Sequence, residues 1–373
     1  MKPFIPDALP PPGLRYDRLS VQIGPTTLAV ARYDSLLQSV TNRELLLAPL
    51  TTQEAVLSSK IEGTQATLDE VFRFEAGMEF TGEKYEDIQE VLNYRNALVM
   101  GSKALEHRPL SLGLIKELHA TLMNSVRGAS KTPGLFRIDQ NWIGAAGTPI
   151  EAAKFVPPSP LQLQDHLEKF ENFMHQTDID PLIQTAVIHA QFELLHPFND
   201  GNGRVGRLLI PLYLYRRGVL GSPSFYLSEY LENNREAYYS RLTAISKEND
   251  WQGWIEFFLV AVEQQALKNI GKLHKVMALY NGMKDRVSNV IHSKYNFRFL
   301  DALFHRPVFQ STDFIQISRT PHQASLQFLN LMVRERILRL VEESSGRRPK
   351  TFVFVHLLNI TEGYEVIKPM EGE

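Results

Sequence analysis

The glycines at positions 201, 203 and 206 follow a helical pattern, not a strand, and that order constrains the fold more than any other local feature. Gly201-Asn202-Gly203-Arg204-Val205-Gly206 satisfies the G-x-G-x-x-G spacing of dinucleotide-binding folds, but that fingerprint must open directly after a strand. Here Asp180 stands at an N-cap, Pro181 at the first helical position, and apolar residues recur at 182, 183, 186, 187 and 190. The segment therefore predicts helix, loop, helix. The first helix ends near Leu195, and the second runs from about Asn202 through Leu208, Leu209, Leu212 and Tyr213 to Gly218. Pro211 removes the hydrogen bond to the Arg207 carbonyl and predicts a kink.

The loop concentrates chemistry. His196 is a base whose reference pKa of about 6.5 suits proton transfer near neutrality. Asp200 offers a hard-metal carboxylate, with capping of the following helix as its plain structural alternative. Gly201, Asn202 and Gly203 sit where unpaired N–H groups and the positive end of a helix dipole favour an anion. Arg204 and Arg207 follow, each able to fork two phosphate oxygens. This is the inventory of a site for a metal-bound nucleotide triphosphate.

His196-Pro197-Phe198-Asn199-Asp200-Gly201-Asn202-Gly203-Arg204-Val205-Gly206-Arg207 resembles the signature H-x-F-x-D-G-N-G-R-x-x-R of Fic-domain proteins without a substitution. Most such proteins are protein adenylyltransferases, which move AMP from ATP to a target hydroxyl and release pyrophosphate. The resemblance implies His196 as general base, Asp200 as ligand of Mg²⁺ between the α- and β-phosphates, and an α-phosphate hole at Gly201, Asn202 and Gly203. It assigns Arg204 and Arg207 to the β- and γ-phosphates, with Val205 and Gly206 completing the nucleotide loop. Phe198 reads as scaffold. Fic relatives acting as kinases carry bulkier residues at the loop glycines, so Gly201 and Gly203 favour adenylyl transfer.

Upstream, Thr51-Thr52-Gln53-Glu54 begins a helical run that Gly63 can end, which leaves Glu62 facing the unfavourable end of the helix dipole. Ser58-x-x-x-Glu62-Gly63 resembles the Fic inhibitory helix, whose glutamate pairs with the second motif arginine; here that implies Glu62 with Arg207. Residues 134–144 and 153–158 read as two short extended runs of a β-hairpin, the counterpart of a Fic flap that clamps target by strand addition through Ile143, Gly144, Phe155 and Val156. Tyr238, in Tyr238-Tyr239, resembles a residue packing near adenine, with Asn249 as a polar partner; an ordinary core role is the alternative. His189 and His196, two helical turns apart, do not read as a metal pair.

The 373 residues carry a net charge of −2, which provides no bulk attraction to nucleic acid or anionic membrane. Cysteine is absent, excluding disulfides and thiolate metal sites. The proline-broken start and the lack of a long apolar run predict a cytoplasmic protein without membrane contact. The expected architecture is mainly α: an N-terminal helical region over 1–110 with the capping box Thr67-x-x-Glu70, a Fic-type catalytic core over 111–285 with its flap, and a winged-helix-like α+β domain over 286–373. In the last, helices near 297–304, from 311 and over 320–329 precede a hairpin tipped by Gly346, Arg347, Arg348 and Lys350, with 352–355 returning. Such modules bind DNA or dock proteins, and the few hairpin charges favour protein contact. The expected partners are thus a target protein, the chain itself included, and a second copy in a homodimer, with DNA left open. Two alternatives stand beside adenylyl transfer: a Fic enzyme that removes AMP, and a DNA-binding regulator whose Fic core senses nucleotide.

Overall fold

The computed structural model describes residues 2–40, 42–124, 127, 130–144, 147–290, 293–343 and 349–368. The chain forms two compact units: Met1–Asp34, Leu57–Thr64 and Leu92–Leu267 make the first, and Ser35–Val56, Gln65–Val91 and Lys268–Glu373 the second. Residues 1–110 are thus shared between them.

The first unit is helical. It holds most of α1 (Tyr16–Ser39), the end of α2 (Arg43–Ile61) and most of α4 (Gly82–Leu105). Then come α5 (Leu112–Leu122), α6 (Pro160–Met174), α7 (Pro181–Leu195), α8 (Asn202–Arg216), α9 (Ser228–Asn233), α10 (Arg235–Glu248) and the first part of α11 (Trp251–Val290). α7 is the axis of this packing, because every residue in it except Pro181 and Glu193 is buried. It starts where the Asp180 carboxylate accepts hydrogen bonds from the Leu182 and Ile183 N–H groups at 2.9 and 3.1 Å. Its buried polar groups find partners: Gln184 Nε2 donates to the Phe173 carbonyl at 2.7 Å, and Trp254 Nε1 reaches the Ala186 carbonyl at 2.8 Å. α8 packs along α7, and Pro211 lies inside it with Ile210 and Leu212 buried on either side.

The inhibitory-helix reading changes in extent. α2 begins at Arg43 and carries Pro49 in its interior, eight positions before the Thr51 start that the sequence suggests, and it closes at Ile61 so that Glu62 lies one residue beyond its end. The flap also differs. Among the described residues, a single antiparallel bridge joins Ile143 to Phe155 in place of a two-stranded hairpin, and a 3-10 turn at Ile150–Ala152 lies between them.

In the second unit, α3 (Leu68–Glu75) opens on the capping box: Thr67 N–H donates to Glu70 at 2.8 Å and Glu70 N–H to Thr67 Oγ1 at 3.2 Å. Its C-terminal part runs α12 (Asn296–His305), β1 (Val308–Gln310), α13 (Ser311–Ser318), α14 (His322–Arg334), β2 (Arg339–Glu342), β3 (Thr351–Val353) and α15 (Val355–Glu362). The three strands are antiparallel in the order β1-β3-β2, with Phe309 opposite Phe352 and Leu340 opposite Phe352. Phe299, Phe314 and Phe328 stack behind them, the closest pair at 4.5 Å. The returning strand is shorter than expected, since Val355 already begins α15. Gly346, Arg347 and Arg348 lie outside the described residues, and Lys350 is 3.1 Å from Glu343.

Candidate active site

α7 ends at His196, which adopts a left-handed conformation with φ 46° and ψ 58° while its N–H still bonds the Phe192 carbonyl at 3.0 Å. A non-glycine residue held there stores roughly 1–2 kcal/mol of backbone strain, which the surrounding structure must offset. Much of that support is visible. Arg137, buried, donates from Nε to the His196 carbonyl at 2.9 Å and from Nη2 to the Pro158 carbonyl at 2.6 Å, while its own N–H bonds the Pro197 carbonyl at 2.9 Å. Phe198 is fully buried and stacks on His119 with centroids 3.7 Å apart and planes 5° from parallel.

The His119 ring then sets the loop's far side. Gly134 N–H donates to His119 Nδ1 at 2.9 Å, so Nε2 carries the proton and donates to the Asp200 carbonyl at 3.1 Å. Burial keeps this ring neutral, with its pKa lowered to about 4. Asn202, at the start of α8, turns its side chain back on the loop: Oδ1 accepts from Phe198 N–H and Nδ2 donates to the Phe198 carbonyl, both at 2.9 Å. Its side chain thus closes the loop and leaves anion contact to the backbone N–H groups of the first turn of α8. Gly201 precedes them at φ 74°, and an added Cβ would meet Met123 Sδ at 2.9 Å.

His196 is half-buried, and its Nδ1 lies 3.3 Å from the Glu193 carbonyl. A carbonyl can only accept, so Nδ1 carries the proton and Nε2 keeps its lone pair. Burial lowers the His196 pKa to about 4, although the Glu193 carbonyl and the Glu62 and Asp200 charges pull it back upward. Asp200 is half exposed; one carboxylate oxygen accepts from Gly201 N–H at 2.6 Å and stands 3.8 Å from Arg204.

Arg207 is nearly sealed, its side chain 1% exposed, and its partners come from the end of α2. Nε donates to Ser58 Oγ at 2.9 Å, and Nη2 donates to the Ser58 carbonyl at 2.9 Å and to Glu62 at 2.7 Å. Burial opposes ionisation of Glu62, yet the Arg207 charge and hydrogen bond, with Arg204 and His196 behind them, hold its pKa below the ordinary value. Gly203 makes this approach feasible. A Cβ on Gly203 would lie 2.1 Å from Glu62 Oε1, inside any tolerable contact. The Glu62 carboxylate therefore lies against the first turn of α8 at Gly203.

Tyr238 is buried and its hydroxyl lies 2.9 Å from His189 Nε2, while His189 Nδ1 faces the Gly206 carbonyl at 3.0 Å. His189 thus donates from Nδ1, and Tyr238 donates to Nε2. Asn249 forms the left-handed end of α10 at φ 59°. At the flap, Ile143 N–H bonds the Phe155 carbonyl at 2.8 Å, Gly144 packs on Thr148 and Ala153, and Val156 accepts from Phe4 N–H at 2.9 Å. Asn141 Nδ2 ties the flap to the loop through the Phe198 carbonyl at 3.1 Å.

Three residues of this site carry no motif. Arg137 and His119 reach the loop from distant segments, and nothing local in the sequence marks them. Glu193 does leave a trace, as the lone carboxylate in Phe192-Glu193-Leu194-Leu195. Its Oε1 is buried with no partner among the described residues, and it would sit 2.5 Å from a Cβ on Gly206. Burial, reinforced by Glu62 and opposed by Arg207, raises its pKa to about 8.

A helical protein whose single loop joins a histidine, an anion-binding helix terminus and two arginines belongs to a class that comparison makes specific. The N-terminal Fic/DOC family profile matches residues 22–103 and the Fic/DOC family profile residues 109–214, together half of the chain. The chain belongs to the Fic/DOC family. It is 29% identical over 165 residues to protein adenylyltransferase fic-1 of Caenorhabditis elegans, covering 42% of this chain and 30% of that protein. It is 28% identical over 214 residues to a probable protein adenylyltransferase of Aquifex aeolicus (strain VF5), covering 55% and 60%. The chain thus spans less than two thirds of the length of these curated relatives, 30% of the first and 60% of the second. Among solved structures, a Fic family protein from Desulfovibrio desulfuricans G20 aligns over 92% of this chain and 98% of its own, with a TM-score of 0.59 at 21% identity. Residues 134–508 of Fic-1 from C. elegans align over 69% and 75%, with a TM-score of 0.54 at 21% identity. These structures share its fold. Among the described residues no helix is long and apolar enough to cross a membrane.

Proposed function

We propose that this chain is an autoinhibited protein adenylyltransferase that transfers AMP from ATP to a Tyr, Thr or Ser hydroxyl of a target protein and releases pyrophosphate. The observation that carries the reading is the 2.7 Å pair between Glu62 and Arg207 inside the loop. A carboxylate seated on the first turn of α8 occupies ground that suits a phosphate, and it uses an arginine that a triphosphate needs.

The chemistry follows from the loop's own residues. The acceptor hydroxyl attacks the α-phosphorus, its proton passing to His196 Nε2, as the bond to the β-phosphate oxygen breaks and its electron pair leaves with pyrophosphate. N–H groups at Asn202 and Gly203 meet the α-phosphate charge, with Gly201, whose own N–H is held by Asp200, giving the close backbone approach, and Arg204 and Arg207 meet the β- and γ-phosphates. Asp200 fits Mg²⁺: it is a half-exposed carboxylate, and the described residues contain no group of three His, Cys, Asp or Glu able to hold a metal alone, so phosphate oxygens would complete the shell. When bound, the ion neutralises charge between the α- and β-phosphates. The bridge at Ile143 and Phe155 offers main-chain groups to a target segment as an added strand. Removal of AMP by water is the second reading, in which Glu62 would position the attacking water.

The test incubates the chain with Mg²⁺ and α-labelled ATP, comparing the parent with Glu62→Gly and with Glu62→Gly/His196→Ala. Weak self-labelling in the parent, strong labelling in the first variant and none in the second are expected. If Glu62→Gly labels no better than the parent, autoinhibition is wrong; if the double variant still labels, His196 is not the base. Washing ATP away and following release of AMP from the labelled protein separates removal from transfer.

A further inference from the structure

The C-terminal part of the second unit presents a surface that the nucleotide chemistry does not use. α13 and α14 are joined by the three residues Arg319 to Pro321, a helix–turn–helix. Arg319 takes the left-handed position at φ 51°, and the turn is pinned by hydroxyl contacts from Thr320 to Ser318 at 2.7 Å and to Ser325 at 2.6 Å. α14 has two unlike faces. Ser325, Phe328, Leu329 and Met332 are buried at i, i+3, i+4 and i+7 and fix the helix on its core. Gln323, Gln327, Asn330 and Arg334, at i, i+4, i+7 and i+11, are all exposed and form one straight stripe.

We propose that this helix–turn–helix binds duplex DNA, with the Gln323–Gln327–Asn330–Arg334 stripe reading base edges in the major groove. The stripe holds no carboxylate and no large apolar side chain. Its amides match the donor–acceptor pair at adenine N6 and N7, which Asn and Gln engage with two hydrogen bonds. Arg319 and Arg298 are exposed beside its N-terminal end, joined by an Arg298 Nη1 hydrogen bond to the Arg319 carbonyl at 3.3 Å, and they suit phosphates. Charge agrees. Residues 286–373 contain twelve Lys and Arg against nine Asp and Glu, while the whole chain is net negative at −2.

The same features disfavour other partners. A protein interface wants aromatic or apolar anchors at its centre, and this stripe offers none. The deep, narrow major groove of duplex RNA does not admit a helix. The order α12-β1-α13-α14-β2-β3, with sheet order β1-β3-β2, is that of a winged helix, in which the second helix of the helix–turn–helix is the reader.

The experiment uses the full chain with His196→Ala, so that the outcome is independent of the catalytic reading, and a labelled pool of duplexes with about 20 random central base pairs. A shared motif should be enriched. Affinity for it should fall steeply with added salt. Gln327→Ala and Asn330→Ala should each cost about tenfold in preference for that motif over unselected duplex, while keeping salt-dependent binding to both. Arg298→Ala/Arg319→Ala should weaken binding to all sequences alike and flatten the salt slope by about two. All these residues are exposed, and an unchanged melting temperature verifies the fold. The proposal is overturned if no motif is enriched, if stripe variants discriminate as the parent does, or if the stripe captures a protein or duplex RNA instead of DNA.

Discussion

His196 donates from Nδ1 to a carbonyl and is held neutral by burial, so its proton-accepting nitrogen is available well below neutrality. With a pKa lowered to about 4, kcat/KM of Glu62→Gly for adenylyl transfer should stay flat from about pH 8 down to about pH 5.5. An acid limb centred near the model-peptide value of about 6.5 would show that the ring is solvated. Glu193 titrates in the opposite sense. A carboxyl whose pKa rises on folding to about 8 stabilises the fold fully below its ordinary value of 4.5, and that contribution is lost as pH rises through about 8. Glu193→Gln should therefore lose less melting temperature than the parent between about pH 6 and about pH 9; parallel losses would refute a buried, protonated Glu193.

At the scale of elements, α8 takes the Glu62 and Glu193 carboxylates against its first turns because Gly203 and Gly206 leave room for them. In Gly203→Ala the added Cβ, 2.1 Å from Glu62 Oε1, should expel Glu62 from its place. Combining Gly203→Ala with Glu62→Gly should then lower stability by less than the sum of the two, with a coupling of about 1 kcal/mol or more in urea melts; additivity would place Glu62 elsewhere. α7 was legible because cap, proline and period coincide at 180 to 190, and each feature acts within one turn. α2 and the flap were read less well. Pro49 looks like a helix stop from local rules, since an interior proline costs about 3 kcal/mol, but packing of Leu46, Leu47 and Leu50 carries the helix through it. The flap's two short extended runs suggested a β-hairpin, whereas among the described residues the pairing is a single bridge of Ile143 with Phe155.

Across the whole molecule, the proposed competition of Glu62 and nucleotide for Arg207 would have a thermal signature. Glu62→Gly should lower stability by about 2 kcal/mol, because Arg207 stays buried with only Ser58 as partner. Saturating MgATP should raise the melting temperature of that variant more than the parent's, since a ligand at a hundredfold its Kd adds about 2.7 kcal/mol and the parent must first release Glu62. Equal shifts would mean that Glu62 does not obstruct binding. The amino-acid sequence by itself determined the family motif, the helix–loop–helix around it and a glutamate at the C-terminal end of a helix closed by Gly63, because these depend on residues a few positions apart; that the helix stops at Ile61, one residue short of Glu62, came from the structure. Only the tertiary structure decided that Asn202 closes the loop on Phe198, that Arg137 and His119 hold it from afar, and that Glu193 is buried beside it. Those contacts join residues brought together by packing, and the burial that sets their protonation is a property of the assembled core, with no counterpart in local pattern.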